Sequence, residues 1–344
     1  MRFETGQKFR IGAVVVQPNV VVAPMAGYTD LAYRLMVKEL GGAGMAYTEL
    51  ISCHSLVHLQ PQVQLMIATA PADHPLGMQI FGADVERMAA SASLLEEYGA
   101  DVIDINMGCP VSKVVKTGGG AVLMRDPERA EAIVQACVAA ISIPVTVKIR
   151  AGWDDQSRNA VEFARRMVDA GAAAVAVHAR TRAQGYAGRA DWSVIRAVAE
   201  AVAVPVIGNG DVADGPSARA LLDETGCAGV MIGRAAMGAP WLFRSVSAFL
   251  ASGVAAPEPS AQARGHLAQQ HLSRLCALYG EATACLHIRR IACCYARGLV
   301  GVHEFRKNIV RVTSAADAHE IIVRYFALAQ QHEDAHALHV KHDA

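Results

Sequence analysis

At 344 residues the chain is long for one average domain and suits a single α/β barrel with a modest appendage. It is 53% apolar but only 6% aromatic, rich in Ala, Val and Gly, as expected of buried parallel strands closely covered by helices. A formal net charge of zero argues against a generally basic nucleic-acid binder, and no uninterrupted apolar run is long enough to span a bilayer. With no signal-peptide core at the N-terminus, the chain is expected in the cytoplasm, without a membrane partner or an obligate protein partner. Eight cysteines without a CxxC pair give neither a disulfide framework nor a zinc knuckle. Cys276, Cys285, Cys293 and Cys294 share one region and read as small buried apolar residues.

In chain order, Phe3–Pro18 reads as a hairpin plugging the floor of a barrel. Eight candidate strands follow, at Val20–Ala23, Met45–Thr48, Gly77–Phe81, Val102–Asn106, Val145–Ile149, Ala174–His178, Val206–Gly208 and Gly229–Ile232. Helical patterns stand between them, among them Asp84–Tyr98, Pro127–Ile141, Ser157–Ala170, Trp192–Ala201 and Gly215–Glu224. Alternation implies parallel strands with right-handed crossovers, and eight strands imply a closed (β/α)8 TIM barrel. Asp126-Pro127-Glu128 supplies a helix N-cap, a proline at the first helical position and an early acid. The Pro- and Ala-rich stretch Ala255–Ser260 reads as a linker. Beyond it, His266–Tyr279, Thr283–Arg297 and Glu304–Thr313 predict an α-helical bundle. The expected organisation is a catalytic barrel over residues 1–250, a helical domain over 256–330 and a flexible, His-rich tail over 331–344.

In such a barrel chemistry sits on the loops after the strands' C-terminal ends. Polar residues gather there on six successive strands: Gln79 on the third, Asp104 and Asn106 on the fourth, Lys148 on the fifth and His178 on the sixth. Asn209-Gly210-Asp211 follows the seventh strand and Gly233-Arg234 the eighth. The two glycine-bearing turns leave backbone N–H groups open to a phosphate, with Arg234 as matching charge. Lys148 can stabilise negative charge on a reduced flavin ring or an enolate. Gln79 and Asn106 offer paired donors and acceptors to a planar heterocycle. Cys109, between Gly108 and Pro110, lies on a rim loop and not on a periodic apolar face, which points to a reactive role. The run Gly118-Gly119-Gly120 lacks the context of a dinucleotide fingerprint and reads as a lid hinge beside it.

These residues carry a resemblance. Asp104-Ile105-Asn106-Met107-Gly108-Cys109-Pro110, with Lys113-Val114 and Gly118, resembles the signature of the tRNA-dihydrouridine synthases. Ala23-Pro24-Met25-Ala26-Gly27 with Thr29-Asp30 is similar to their first-strand motif. The runs Thr146 to Trp153, Val177 to Arg182, Asn209 to Asp211 and Met231 to Ala235 are similar to later strand ends. Trp241-Leu242-Phe243 is nearest the bacterial B-type branch. The resemblance implies FMN as cofactor and NADPH or NADH as reductant. Pro24, Met25, Ala26, Gln79, Lys148 and His178 would lie at the flavin, and Asn209, Gly210, Asp211, Gly233 and Arg234 at its phosphate. It implies Cys109 as the acid that protonates C5 of uracil while hydride goes to C6. Asn106, Arg180, Arg289 and Arg290 would contact the tRNA partner. The chain departs from the family at Ala179, where a glycine is usual, and in Arg289-Arg290-Ile291-Ala292-Cys293-Cys294-Tyr295, which lacks a His and a Trp.

Charge distribution agrees with a polyanionic partner: from Cys285 to Val312 stand Arg289, Arg290, Arg297, Arg306, Lys307 and Arg311 against Glu304 alone. A flavin barrel acting on a free pyrimidine or another small molecule is the nearest competing reading, but it gives these helices no role. A non-catalytic RNA-binding protein would not need Cys109, Lys148, His178 and Arg234 together.

Overall fold

The computed structural model describes residues 8–342 of the 344, with side chains described to residue 336. The part of the expected hairpin before Lys8 lies outside the described residues. From Phe9 the chain forms a two-stranded antiparallel hairpin, β1 (Phe9–Ile11) and β2 (Val14–Val16). Phe9, Ile11 and Val16 pack against Val102, Ala174 and Ala228 where barrel strands begin, which closes the floor.

Eight parallel strands form the closed barrel. They are β3 (Val20–Val22), β4 (Met45–Ser52), β5 (Leu76–Phe81), β6 (Val102–Asn106), β7 (Val145–Arg150), β8 (Ala174–His178), β9 (Val206–Asn209) and β10 (Gly229–Ile232). Closure is made by β10 on β3, with Val230 opposite Val20. These strands are almost wholly buried, which is why continuous Val/Ile/Ala runs and not alternating ones encode them. Helix starts follow their caps: Asp84 accepts from Arg87 N at 3.0 Å and Asp126 from Arg129 N at 3.1 Å.

Three strand ends run further than the sequence predicts, and each extension brings polar residues to the rim. β4 continues past Thr48 through a register shift between Tyr47 and Leu50, bringing Glu49 and Leu50 to the rim. β7 reaches Arg150 and β9 reaches Asn209, which places Arg150, His178 and Asn209 in one ladder row above the Asn106–Lys148 pair. Register, more than loop geometry, assembles the polar residues.

After the irregular stretch beyond Gly253, helices Ala261–Tyr279, Glu281–Tyr295, Val302–Ile309 and Ala315–His342 form the helical region. The first three correspond to predicted helices, with the earliest start set by Ser260 capping Ala263 N. The fourth is a finding: the His-rich stretch read as a flexible tail is helical to His342. Its buried face, Ala318, Ile322, Phe326 and Ala329, has the helical spacing that the reading passed over. Leu272, Ile288, Ile291, Phe305 and Phe326 share a core with Ala32 and Met36 on the barrel's helix Leu31–Leu40, so the bundle stands beside the first βα loop. Of the cysteines expected to be buried here, Cys285 is buried, but Cys276, Cys293 and Cys294 are partly exposed. Among the described residues no helix is long and apolar enough to cross a membrane.

Candidate active site

The C-terminal mouth of the barrel opens into a cavity of about 1010 Å³. Most sequence-predicted residues meet there: Pro24, Met25 and Ala26 from the first loop, Asn106 and Cys109 after β6, and Lys148 and His178 from the next strands. Asn209, Gly210, Asp211, Gly233 and Arg234 complete the wall. Gln79 does not line it. Its amide is wholly buried and acts one layer down.

That layer is a directed hydrogen-bond chain. Asp104 accepts from Thr146 Oγ1 at 2.6 Å and from Gln79 Nε2 at 2.6 Å. This turns Gln79 Oε1 to accept from Asn106 Nδ2 at 2.7 Å. Asn106 Oδ1 then accepts from the backbone N–H groups of Gly108 (3.2 Å) and Cys109 (2.9 Å). One buried carboxylate therefore fixes the orientation of two amides and the Cys109 loop. Burial raises the Asp104 pKa to about 6, restrained by its two hydrogen bonds and by Lys148, so it remains the acceptor at neutral pH.

Cys109 is partly exposed to the cavity, and burial pushes its thiol pKa up, partly offset by the Val111 N–H, Arg150 and Lys148. The thiol is therefore protonated near neutrality. Gly120 (φ +63°) packs beneath it: a Cβ there would lie 2.7 Å from the Cys109 carbonyl. The glycine run expected as a lid hinge thus has a packing role at that position.

Lys148 and His178 are organised by Asn209. With Asn209 Nδ2 given to Met231 O at 2.7 Å, its Oδ1 accepts from Lys148 Nζ at 3.2 Å and lies 2.9 Å from His178 Nδ1. That arrangement assigns the proton to Nδ1 and leaves His178 Nε2 a buried acceptor without a partner among the described residues. Burial, then Lys148 and Arg150, lowers the His178 pKa to about 2, so the ring is neutral. Burial and Arg150 likewise lower Lys148 to about 8.

At the opposite wall the chain turns through Gly210 (φ +133°) and Asp211 (φ +58°). A Cβ on Gly210 would meet Ala190 Cβ at 2.8 Å. The unusual backbone of Asp211 is held by its carboxylate, which accepts from Arg180 Nη2 at 2.7 and 2.8 Å and from Ala190 N at 2.7 Å. Arg180 also donates to the carbonyls of Ala187 (3.1 Å) and Gly188 (2.7 Å), and it is 2% exposed. The tRNA contact expected of Arg180 does not fit that burial; its guanidinium shapes the turn from behind. Arg234 stands half-exposed at the rim, 3.5 Å from Asp211 and 4.4 Å from the Tyr186 ring.

Sequence reasoning left two prominent residues without a role. Arg150 donates to Gly108 O at 2.7 Å and to the carbonyls of Thr181 and Gly185, bracing the Cys109 loop against the loop after β8. Tyr186 is 56% exposed, with Arg150 at 5.8 Å and Arg234 at 4.4 Å from its ring. Arg150 was findable: two residues past Lys148 on one strand, it must face the same side. Tyr186 lies in a loop with no periodicity to flag it.

The helical region approaches at the first loop. Arg290 donates to Gly27 O and lies 4.3 Å from the Tyr28 ring, while Glu49 accepts from Gly27 N. Arg289 donates twice to Val312 O, at 3.0 and 2.7 Å, so part of its donor set is spent within the bundle. Neither arginine joins the barrel cavity wall, but Arg297 does.

Comparisons with known proteins agree with this geometry. A family model described as Dihydrouridine synthase matches residues 21–331. The chain is 38% identical over 321 residues to the "Probable tRNA-dihydrouridine synthase 1" of Synechocystis sp., covering 93% of this chain and 90% of the relative. It is 40% identical over 319 residues to the "tRNA-dihydrouridine synthase B" of Xanthomonas axonopodis pv. citri, covering 92% and 95%. It is 39% identical over 297 residues to that of Pseudomonas putida, covering 86% and 88%. Among solved structures, histamine dehydrogenase from Rhizobium sp. 4-9 superposes with TM-score 0.56 at 12% identity, over 79% of this chain and 51% of that one, a likeness of fold alone. Barrel, cysteine loop and sequence agree, and the chain belongs to the dihydrouridine synthase family.

Proposed function

We propose that this protein reduces the C5=C6 bond of uridine in tRNA to dihydrouridine in the cytoplasm, using FMN and a nicotinamide nucleotide. The observation that carries the reading is the Cys109 loop, held by Asn106 through two backbone N–H groups at the mouth of a cavity walled by Lys148 and His178. The residues suit FMN on their own chemistry. His178 Nε2 is an orphaned acceptor, Lys148 a half-buried cation, and the Gly210 and Gly233 turns with Arg234 form a cradle for a phosphate. When bound, FMN supplies the hydride that adds at C6 of the uracil ring.

The protein's part is positioning and proton supply. Hydride addition at C6 leaves an enolate whose C5 needs a proton, and the Cys109 thiol gives it. Lys148, charged below about pH 8, stabilises negative charge in the cavity. Asn106 keeps the thiol loop in place through two backbone N–H groups. The uridine must leave its stack to enter the mouth. The direct experiment incubates the purified protein and nucleotide with tRNA from a strain lacking its own synthases. Dihydrouridine is then measured by mass spectrometry of nucleosides, and its absence from the product sinks the reading.

Substitutions separate the flavin cradle from the tRNA-binding helices. Arg234→Ala should weaken FMN retention roughly 10- to 100-fold, the loss of one charge-assisted phosphate contact. Fluorescence titration of the apoprotein with FMN reads this directly, and equal affinities would remove Arg234 from the phosphate site. Charge reversal at Arg289 and Arg290 should raise the apparent KM for tRNA and flatten its dependence on salt. Flavin retention should be unchanged, since neither arginine lines the barrel cavity. Unchanged tRNA binding would give these helices another task.

A further inference from the structure

Glu49 joins the cavity wall where β4 leaves its ladder. Tyr47 pairs with Gly77 and Leu50 with Gln79, so Thr48 and Glu49 together oppose the single residue Met78. A bulge of this kind beside an active site re-aims a side chain. The Glu49 carboxylate is fixed on one side: it accepts from Gly27 N, and Arg290 holds the Gly27 carbonyl. Its other oxygen, Oε1, accepts no hydrogen bond among the described residues. No other carboxylate or amide of the wall keeps a spare oxygen. Those of Asp211 are taken by Arg180 and Ala190 N, Asn106 Oδ1 by the Cys109 loop, and Asn209 Oδ1 by Lys148 and His178. Burial raises the Glu49 pKa, while the Gly27 N–H, Arg34 and Arg290 oppose it and favour the carboxylate.

We propose that Glu49 selects uracil by accepting the N3–H of the base that enters the mouth. The inference rests on the reductase reading above, because it concerns the uridine bound for that reaction. A uracil edge offers one donor, N3–H, between the acceptors O2 and O4. Donors are plentiful on the wall, in Lys113, Lys148 and Arg150. The acceptor for N3–H is the scarcer part, and with His178 Nε2 given to the flavin it falls to Glu49. Cytosine carries a lone pair at N3 and would meet the carboxylate with like polarity. A site built to pair with an N–H rejects the analogue that lacks it. Two acceptors are needed at once, one for Gly27 and one for the base. A carboxylate supplies both, whereas an amide supplies only one.

The test follows single-turnover oxidation of chemically prereduced, FMN-loaded protein by tRNA, with rates taken per bound FMN. Ligated tRNAs carry uridine, 3-methyluridine or 2′-deoxyuridine at the position that the parent protein reduces. Glu49→Gln keeps an acceptor for Gly27 N, so flavin content should hold, yet transfer to uridine should slow by about ten- to a hundredfold. N3-methylation should cost the parent at least about a hundredfold. In Glu49→Gln that penalty should shrink at least about tenfold, since the contact it destroys is already gone. The 2′-deoxy penalty should be the same in both proteins. Parent-like transfer to uridine in Glu49→Gln overturns the proposal, as does a methylation penalty that stays as large, inertness included. A 2′-deoxy penalty that shrinks in its place also overturns it and gives Glu49 to the ribose. Failure of the reductase reading itself shows separately, as parent flavin that uridine tRNA does not reoxidise.

Discussion

Cys109→Ala should keep FMN and accept reducing equivalents from the nucleotide, yet transfer to tRNA should slow by about 10²–10⁴-fold, the usual effect of removing a positioned acid. The structure makes this substitution clean. The bonds that hold the loop are made by the Cys109 backbone, whose N–H donates to Asn106 and whose carbonyl accepts from Ala121 N at 3.1 Å. Neither needs the sulfur. Cys109→Ser should recover little, because a hydroxyl is a far weaker acid. Single-turnover mixing of prereduced protein with tRNA isolates the step, and parent-like rates in the alanine variant exclude the thiol from it. The pH profile adds a second reading. Burial holds the thiol pKa above its usual value, so the acid stays loaded as pH rises. Lys148 loses its charge through about pH 8, so an alkaline fall should begin there and survive in Cys109→Ala but not in Lys148→Met. A fall confined to the cysteine-bearing protein would assign that limb to Cys109 instead.

How much of this was legible in the sequence depends on which interaction fixed each residue. The barrel was legible because buried parallel strands are written as continuous β-branched runs, and because polar residues at strand ends have no structural reason to recur. Gln79 was read as a flavin contact by position, but its amide lies one layer below the cavity, and that layer could not be read. Whether a strand-end amide faces the cavity or supports a neighbour is decided by hydrogen bonds to Asp104 and Asn106, far apart in sequence. Arg180 shows the opposite error. A cation after a barrel strand suggests a polyanion, yet this guanidinium is buried against Asp211, and burial of a loop arginine leaves no periodic signal. The fourth bundle helix had the right spacing, but its polar, His-rich end masked the apolar stripe.

The largest expected loss of stability lies outside the cavity, at Arg34. Its guanidinium is wholly buried with Asp73, donating from Nε at 3.0 and 3.1 Å and from Nη2 at 2.7 Å. Nη1 also donates to Thr29 O and Nη2 to Ala68 O, each at 2.8 Å. Thr29 in turn fixes Met25 through Oγ1 and its own N–H, so this arginine braces the loop carrying Pro24, Met25 and Ala26. Arg34→Met strands a carboxylate in an apolar interior and should cost about 3–5 kcal/mol in urea unfolding. Arg34→Met with Asp73→Leu removes both charges and should regain most of that loss, because the pair's attraction is largely spent on its own desolvation. The double variant still lacks donors for the Thr29 and Ala68 carbonyls, so the first loop stays unbraced. Stability should therefore return without FMN affinity. A single-variant cost below about 1 kcal/mol would place Asp73 in contact with solvent. Joint recovery of stability and flavin binding would mean that the loop holds its shape without Arg34.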